Sequence, residues 1–319
     1  MRTNEEVAAH VGVTPHWITE RTGVRNRYVA GRDQAASDLA AEAVRGALRS
    51  AGMVAGDLDL IVLATSTPDE LGPSTACRLQ ALLGAERAVA LDVSAACAGW
   101  LFATRVAVDW LRVDTDVRRA VVVGVEVYSR FLNLSDRATA VLFGDGAAAT
   151  ILGPVAPGSG FGHIGLGSDG RQAGDVLIPA GGSREPVDIE SIDRGRHRIH
   201  MNGRAVRDFI LDVFPKAAED ALKRSSLSVS EIDAVVAHQP NPVLLRQACK
   251  DAGFDPDRLI VVGDQVGNIG AASMPYGLAE AHADGRLCRG DHVLIVGFGA
   301  GLTWGSTVLT WDTDTLSLL

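Results

Sequence analysis

The chain has 319 residues, 47% of them hydrophobic, 22% charged and 5% aromatic, with 35 glycines and a formal net charge of −9. That length suggests two domain-sized units or one large α/β domain, and the ordinary apolar and charged fractions exclude a disordered or fibrous chain. The acidic balance opposes general binding to nucleic acid or an anionic membrane, because its long-range field repels phosphate.

The polar start, MRTNEEVAAH, lacks the apolar core of a signal peptide, and no apolar stretch approaches about 20 residues, so a cytoplasmic protein without a membrane span is expected. The segment DLDLIVLATSTP (57–68) predicts an apolar strand running into a polar loop, and AVALDV (88–93) a second strand. SAACAGWLFATRVAVDWL (94–111) follows as a tight loop and an amphipathic helix, and RRAVVVGVEVY (118–128) as another strand. The pattern then recurs. EIDAVVAHQPNP (231–242) matches 57–68, LIVV and GDQVGNIGAASMPYGLAEAHA (259–283) repeat the strand, loop and helix, and GDHVLIVGFGAG (290–301) matches 118–128. The offsets agree: Asp233 lies 174 residues after Asp59, and Gly297 lies 173 after Gly124. A duplicated α/β unit with helices covering sheets is predicted, divided at the Gly/Pro-rich GPVAPGSGFG (153–162) into halves 1–155 and 156–319. The second half opens with a strand and turn, FGHIGLGSDGR (161–171), whose partner in the first half falls before residue 1. A missing opening strand in the first half is therefore expected, with the tail after Trp311 running on.

Cys77, Cys97, Cys249 and Cys288 lie far apart with no C-x-x-C pair, and read as reduced thiols with no disulfide or zinc framework. Cys97 stands apart from the others. In LDVSAACAGW it falls between a strand and a helix start, where unpaired N–H groups and the helix dipole favour a thiolate, and small neighbours leave room for a substrate. A buried cysteine at a helix start would suit packing equally well. His238, directly after the strand IDAVVA, and Asn268, in the Gly-rich VGNIGAAS, tip the balance, because ligand sites in α/β sheets form beyond the carboxyl ends of strands. Cysteine, histidine and asparagine together can run acyl transfer, the thiolate attacking and the donors holding an oxyanion. The other seven histidines are expected to be solvated, and no cluster has metal-ligand spacing.

AACAGW, HQPN and GNIGAAS, with WITERTGVRNRYVA (17–30), FGDGAAA (143–149) and FGAGLTWG (298–305), resemble the β-ketoacyl-acyl-carrier-protein synthase III family over essentially the whole chain. The resemblance implies a thiolase-like fold, two duplicated halves in a five-layered α-β-α-β-α sandwich, and a homodimer. It implies that Cys97 takes an acyl group from acyl-CoA, with the backbone N–H groups of Cys97 and Ala300 as oxyanion hole. A malonyl thioester on an acyl carrier protein then loses carbon dioxide, and neutral His238 and Asn268 stabilise the enolate that attacks the Cys97 thioester. Phe298 would disfavour the malonyl carboxylate, or simply be core. Trp17 and Arg137 would flank the adenine of coenzyme A, and Arg21 would approach its phosphate. No cofactor and no metal are implied beyond acyl-CoA as substrate.

Some positions depart from the family. Gly72, in LGPS, replaces an aromatic that reaches into the partner's acyl pocket, so a larger pocket is expected. Val243 replaces a basic residue for carrier-protein docking, with Arg246 one turn further on. The HQPN proline and GNIG vary the second oxyanion loop. The favoured reading is decarboxylative condensation in fatty-acid initiation or polyketide starter selection. The alternative is transfer from Cys97 to an alcohol, amine or thiol without decarboxylation. A non-catalytic partner would lose the nucleophile, and a hydroxymethylglutaryl synthase would need a carboxylate near Cys97, for which Glu70 alone is a candidate.

Overall fold

Runs of β-branched and small apolar residues form two sheets in this computed structural model, which describes residues 1–313. Their main strands are β1 (Leu60–Ala64), β2 (Val89–Val93), β3 (Ala120–Val127), β4 (Asp145–Leu152), β5 (Gly165–Ser168), β6 (Ala234–Ala237), β7 (His292–Gly299) and β8 (Thr303–Thr310). The first sheet has the order β2-β1-β3-β4, with β1 parallel to β2 and β3, and β4 antiparallel to β3. The second repeats it: β6 runs parallel to β7, β8 antiparallel to β7, and Leu259 bridges Val235 in the place that β2 occupies beside β1. β5 pairs with β8 at the edge of the second sheet, whereas among the described residues the first sheet ends at β4.

The main helices are α1 (Asn4–Val11), α2 (Pro15–Thr22), α3 (Ala36–Ser50), α4 (Thr75–Leu83), α5 (Gly99–Val113), α6 (Gly203–Ser225), α7 (Pro242–Asp251) and α8 (Ser273–Ala283). Side chains alternate across each strand and so assign the layers. Ile61 and Leu63 of β1 join α3 and α4 through Val44, Leu48 and Leu79. Leu60 and Val62 face the other way, onto Trp100 and Ala103 of α5 and Met274 and Leu278 of α8, whose far side meets Val293 and Ile295 of β7. Val235, Leu294 and Val296 face outward onto Phe214 of α6 and Leu245 of α7. The stack is α3/α4, sheet, α5/α8, sheet, α6/α7, the five layers expected. Strands buried on both faces carry unbroken apolar runs, which is why β1 and β3 read as LIVLA and AVVVGV.

Candidate active site

The carboxyl ends of β1, β2, β3 and β6 open onto one place between the halves. Cys97 lies there in a single 3-10 turn, Ala96–Ala98, which leads into α5 at Gly99. The turn is strained, since Ala96 adopts φ 48°, a left-handed conformation that a residue with a Cβ rarely takes. The β7–β8 hairpin closes over it through glycine: a Cβ at Gly299 would lie 2.7 Å from the Cys97 nitrogen and 2.9 Å from that of Ala98. Thr303 Oγ1, at the hairpin's return, donates to the Ala95 carbonyl at 3.1 Å. Ala300 follows Gly299 in the turn between β7 and β8.

The thiol itself departs from expectation. Burial, helped by the charge of Glu126, pushes its pKa up to about 12, against the Tyr128 hydroxyl and its own backbone N–H. A helix start is worth at most about 2 kcal/mol to an anion, too little to offset removal from water beside a carboxylate. The lowered thiol pKa expected from the helix dipole is thus corrected.

His238 follows β6 directly and is anchored by its N–H to the Val296 carbonyl at 3.0 Å. Its ring is 3% exposed, stands edge-on to Phe298 with centroids 5.2 Å apart, and leaves Nδ1 without a hydrogen-bond partner. Burial takes its pKa down to about 3, weakly opposed by the Gly270 backbone, so the imidazole is neutral. Asn268 is held by its N–H to the Leu142 carbonyl at 2.8 Å and by its own carbonyl, which accepts from Gly144 N at 3.0 Å. Its Oδ1 accepts from the Gly270 N–H at 2.9 Å. That bond occupies the amide oxygen and leaves the Nδ2 protons as donors.

Gly270 is the point on which these groups meet. It binds the Asn268 side chain, its backbone lies against His238, and a Cβ on it would fall 2.6 Å from the Tyr128 hydroxyl and 2.7 Å from Glu126 Cγ. The Tyr128 hydroxyl in turn stands 3.7 Å from Cys97 Sγ. The structure therefore brings Cys97, His238 and Asn268 around one glycine, at φ 52°. Phe298, 2% exposed, lies between His238 and Phe214, both wall and core.

The other candidates lie farther out. Trp17 on α2 is half-buried and packs on Ile18, Ala140 and Val141, so it shares a cluster with the loop that carries exposed Arg137. Arg21 is exposed one turn along α2. Gly72 is exposed in the β1–α4 loop with nothing within 4 Å of a Cβ there, and Leu71 beside it is 87% exposed, so this loop does not reach the site of its own chain. Glu70 pairs with Arg78 on the surface. A cavity of about 630 Å³ lined by Arg105, Phe209, Lys216 and Trp304 includes none of the three central residues. Among the histidines expected to be solvated, His282 lies tilted against Trp311 with ring centroids 5.5 Å apart, and His292 is half-buried with Nδ1 3.3 Å from Thr310 Oγ1.

Glu126 and Tyr128 escape a reading of motifs. Glu126 is fully buried on β3, accepts from the Ser66 N–H at 3.1 Å and from Thr67 Oγ1 at 2.9 Å, and burial raises its pKa to about 8. A lone acid inside VVVGVEVY was the available signal.

Comparison with known proteins settles the family. The model of the family described as "3-Oxoacyl-[acyl-carrier-protein (ACP)] synthase III" matches residues 91–170, and that of its C-terminal part matches residues 222–311. The β-ketoacyl-[acyl-carrier-protein] synthase III of Symbiobacterium thermophilum is 41% identical over 309 residues, covering 97% of this chain and 93% of the relative. The chain belongs to the 3-oxoacyl-[acyl-carrier-protein] synthase III family. Among solved structures, a synthase III from Thermus thermophilus superposes with a TM-score of 0.88 at 37% identity, covering 97% of this chain and 94% of that one. The priming β-ketosynthase of the R1128 polyketide pathway superposes at 0.90 with 31% identity, covering 98% and 92%. The thiolase-like architecture of this synthase III is thus shared with its relatives. Among the described residues no group of three or more His, Cys, Asp or Glu could hold a metal ion, no helix is long and apolar enough to cross a membrane, and the four cysteines are free.

Proposed function

We propose that this synthase III loads an acyl group from acyl-CoA onto Cys97 and condenses it decarboxylatively with malonyl-acyl carrier protein, giving a 3-oxoacyl product. The observation that carries the reading is the meeting of a nucleophile, a neutral imidazole and an oriented amide at Gly270. Cys97 Sγ attacks the acyl-CoA carbonyl, and the N–H groups of Cys97 and Ala300 receive its oxyanion. After coenzyme A leaves, His238 and the Asn268 amide donate to the malonyl thioester carbonyl. Loss of carbon dioxide then leaves an enolate, which these two donors stabilise. A cationic histidine is not required, and burial keeps this one uncharged. Phe298 gives the carboxylate an apolar wall and favours its departure. The enolate carbon attacks the Cys97 thioester and frees the sulfur.

Trp17 and Arg137 bind the adenine end of coenzyme A, with Arg21 near its phosphate, by stacking and charge-assisted bonds. The exposed face of α7, with Val243, Arg246 and Lys250, receives the carrier protein, two cations standing where the rest of the chain is acidic. The enzyme acts as a cytoplasmic homodimer without further cofactor, each Gly72 loop reaching the partner's acyl pocket. The exposed Leu71 and the half-exposed edge strand β2 support that assembly.

Intact-mass spectrometry with a panel of acyl-CoAs tests the reading: one acyl adduct per chain is expected, and none with any donor would refute it. Because Gly72 leaves space, branched and medium-length donors should label the protein. Gly72→Phe should cut labelling by the longer donors on the order of tenfold or more while sparing acetyl-CoA. An unchanged donor profile would remove Gly72 from the pocket.

The His238 pKa yields a pH test. A histidine shifted down to about 3 is neutral at every pH above that value, so its protonation state, and with it its single N–H donor, does not change through the neutral range. Decarboxylation by pre-acylated enzyme should therefore show no acid limb from this group between pH 5 and 8. A limb near the ordinary histidine pKa of about 6.5 would mean a solvated ring.

A further inference from the structure

The site holds a donor that the reaction above leaves unused. Tyr128 is 5% exposed, and its hydroxyl lies within hydrogen-bond distance of Cys97 Sγ, at 3.7 Å, with the Ser66 hydroxyl as its other neighbour. Phe143 holds the ring edge-on with centroids 4.8 Å apart, and the missing side chain of Gly270 leaves the hydroxyl its place. The charged and titratable groups around the sulfur are Glu126, two residues back on β3, Tyr128 itself, and neutral His238 across Gly270. Glu126 opposes a thiolate, and no cation is among the groups acting on the thiol. A buried anion in that setting depends on neutral donors.

We propose that the Tyr128 hydroxyl donates to the Cys97 sulfur and stabilises the thiolate that attacks acyl-CoA, an inference that rests on Cys97 being the acylated nucleophile. Burial lifts the phenol well above its ordinary range, so it keeps its proton and can act as donor wherever the thiol reacts. In acylation the Sγ–C bond forms as the bond from the acyl carbon to the coenzyme A sulfur breaks, and the thiol proton ends on that sulfur as free coenzyme A. Tyr128 stabilises charge and gives up no proton. Once Sγ is a thioester it is a poor acceptor, and the hydroxyl proton turns to Ser66 Oγ, which is buried beside the phenol. Only the proton has to rotate.

Tyr128→Phe keeps the ring and its packing on Phe143. The measurement is the rate of Cys97 alkylation by iodoacetamide across pH, resolved by peptide mass spectrometry, with exposed Cys77 and Cys288 as internal controls. A hydrogen bond to a charged group predicts a fall of about 10- to 100-fold and a profile displaced upward by about one to two pH units, the controls unchanged. Replacing the chain's three tyrosines with 3-fluorotyrosine, a stronger donor, should move the Cys97 profile downward, and this test does not depend on the Phe variant folding. An unchanged Cys97 profile in either protein overturns the proposal even where acyl-CoA still labels Cys97. Failure of wild-type Cys97 to form any acyl adduct overturns instead the reading on which it rests.

Discussion

Cys97→Ala takes up no acyl group from any acyl-CoA, and condensation falls by roughly 10⁴-fold or more, as for other enzymes stripped of a covalent nucleophile. The size of the effect follows from the geometry. Among the described residues, the 3-10 turn at Ala96–Ala98 is where a thiol meets both the hairpin that carries Ala300 and the Gly270 turn, while Cys77, Cys249 and Cys288 lie elsewhere. Folding should be little affected, because alanine already flanks the position on both sides and suits the turn. Malonyl decarboxylation should survive in this variant, since its donors are His238 and Asn268. Intact mass, condensation rate and carbon dioxide release, measured on one preparation, separate these consequences. An acyl adduct persisting in Cys97→Ala would place the nucleophile elsewhere.

His238→Ala makes the complementary prediction. Removing one donor from a developing oxyanion costs on the order of 10²- to 10³-fold, so malonyl decarboxylation should fall by that factor while self-acylation stays within a few-fold of wild type. The imidazole touches Phe298 and the Gly270 backbone, whereas the Cys97 sulfur has the Tyr128 hydroxyl as its hydrogen-bond partner. Asn268→Asp should be at least as damaging as Asn268→Ala. The Gly270 N–H would still hold one oxygen, and the other would turn a negative charge toward the enolate. If self-acylation fell as far as decarboxylation in His238→Ala, His238 would be the base for Cys97, and the division of labour would be wrong.

Much of the fold was legible in the residues because the chain says it twice. The match between 57–68 and 231–242 placed β1 and β6, and the match between 118–128 and 290–301 placed β3 and β7. The layering was legible only through the family resemblance, since a strand apolar on both faces does not reveal which helix each face meets. Cys97, His238 and Asn268 were legible because each breaks an apolar or glycine-rich pattern at the end of a strand. Gly270 was not, because the sequence shows one more glycine in GNIGAAS and nothing of its φ or of the two side chains occupying its missing Cβ. Glu126 lies near the end of β3 and Tyr128 just after it, but the position of Cys97 against them depends on tertiary packing. The raised thiol pKa is hidden for a related reason: a helix start is visible in sequence, whereas the burial of Cys97 and the carboxylate that another strand brings beside it are not.

The central claim is that the acyl group on Cys97 is consumed by a carbon nucleophile made by decarboxylation at His238 and Asn268. A single-turnover experiment addresses it most directly. Enzyme acylated beforehand, freed of acyl-CoA, is mixed with malonyl-acyl carrier protein, and carbon dioxide, carrier-bound product and the mass of the protein are followed together. We expect one equivalent of carbon dioxide and one of 3-oxoacyl product for each acyl group lost from Cys97. Loss of the acyl group to an alcohol, amine or thiol without carbon dioxide release, or an adduct that malonyl-acyl carrier protein leaves untouched, would contradict the account.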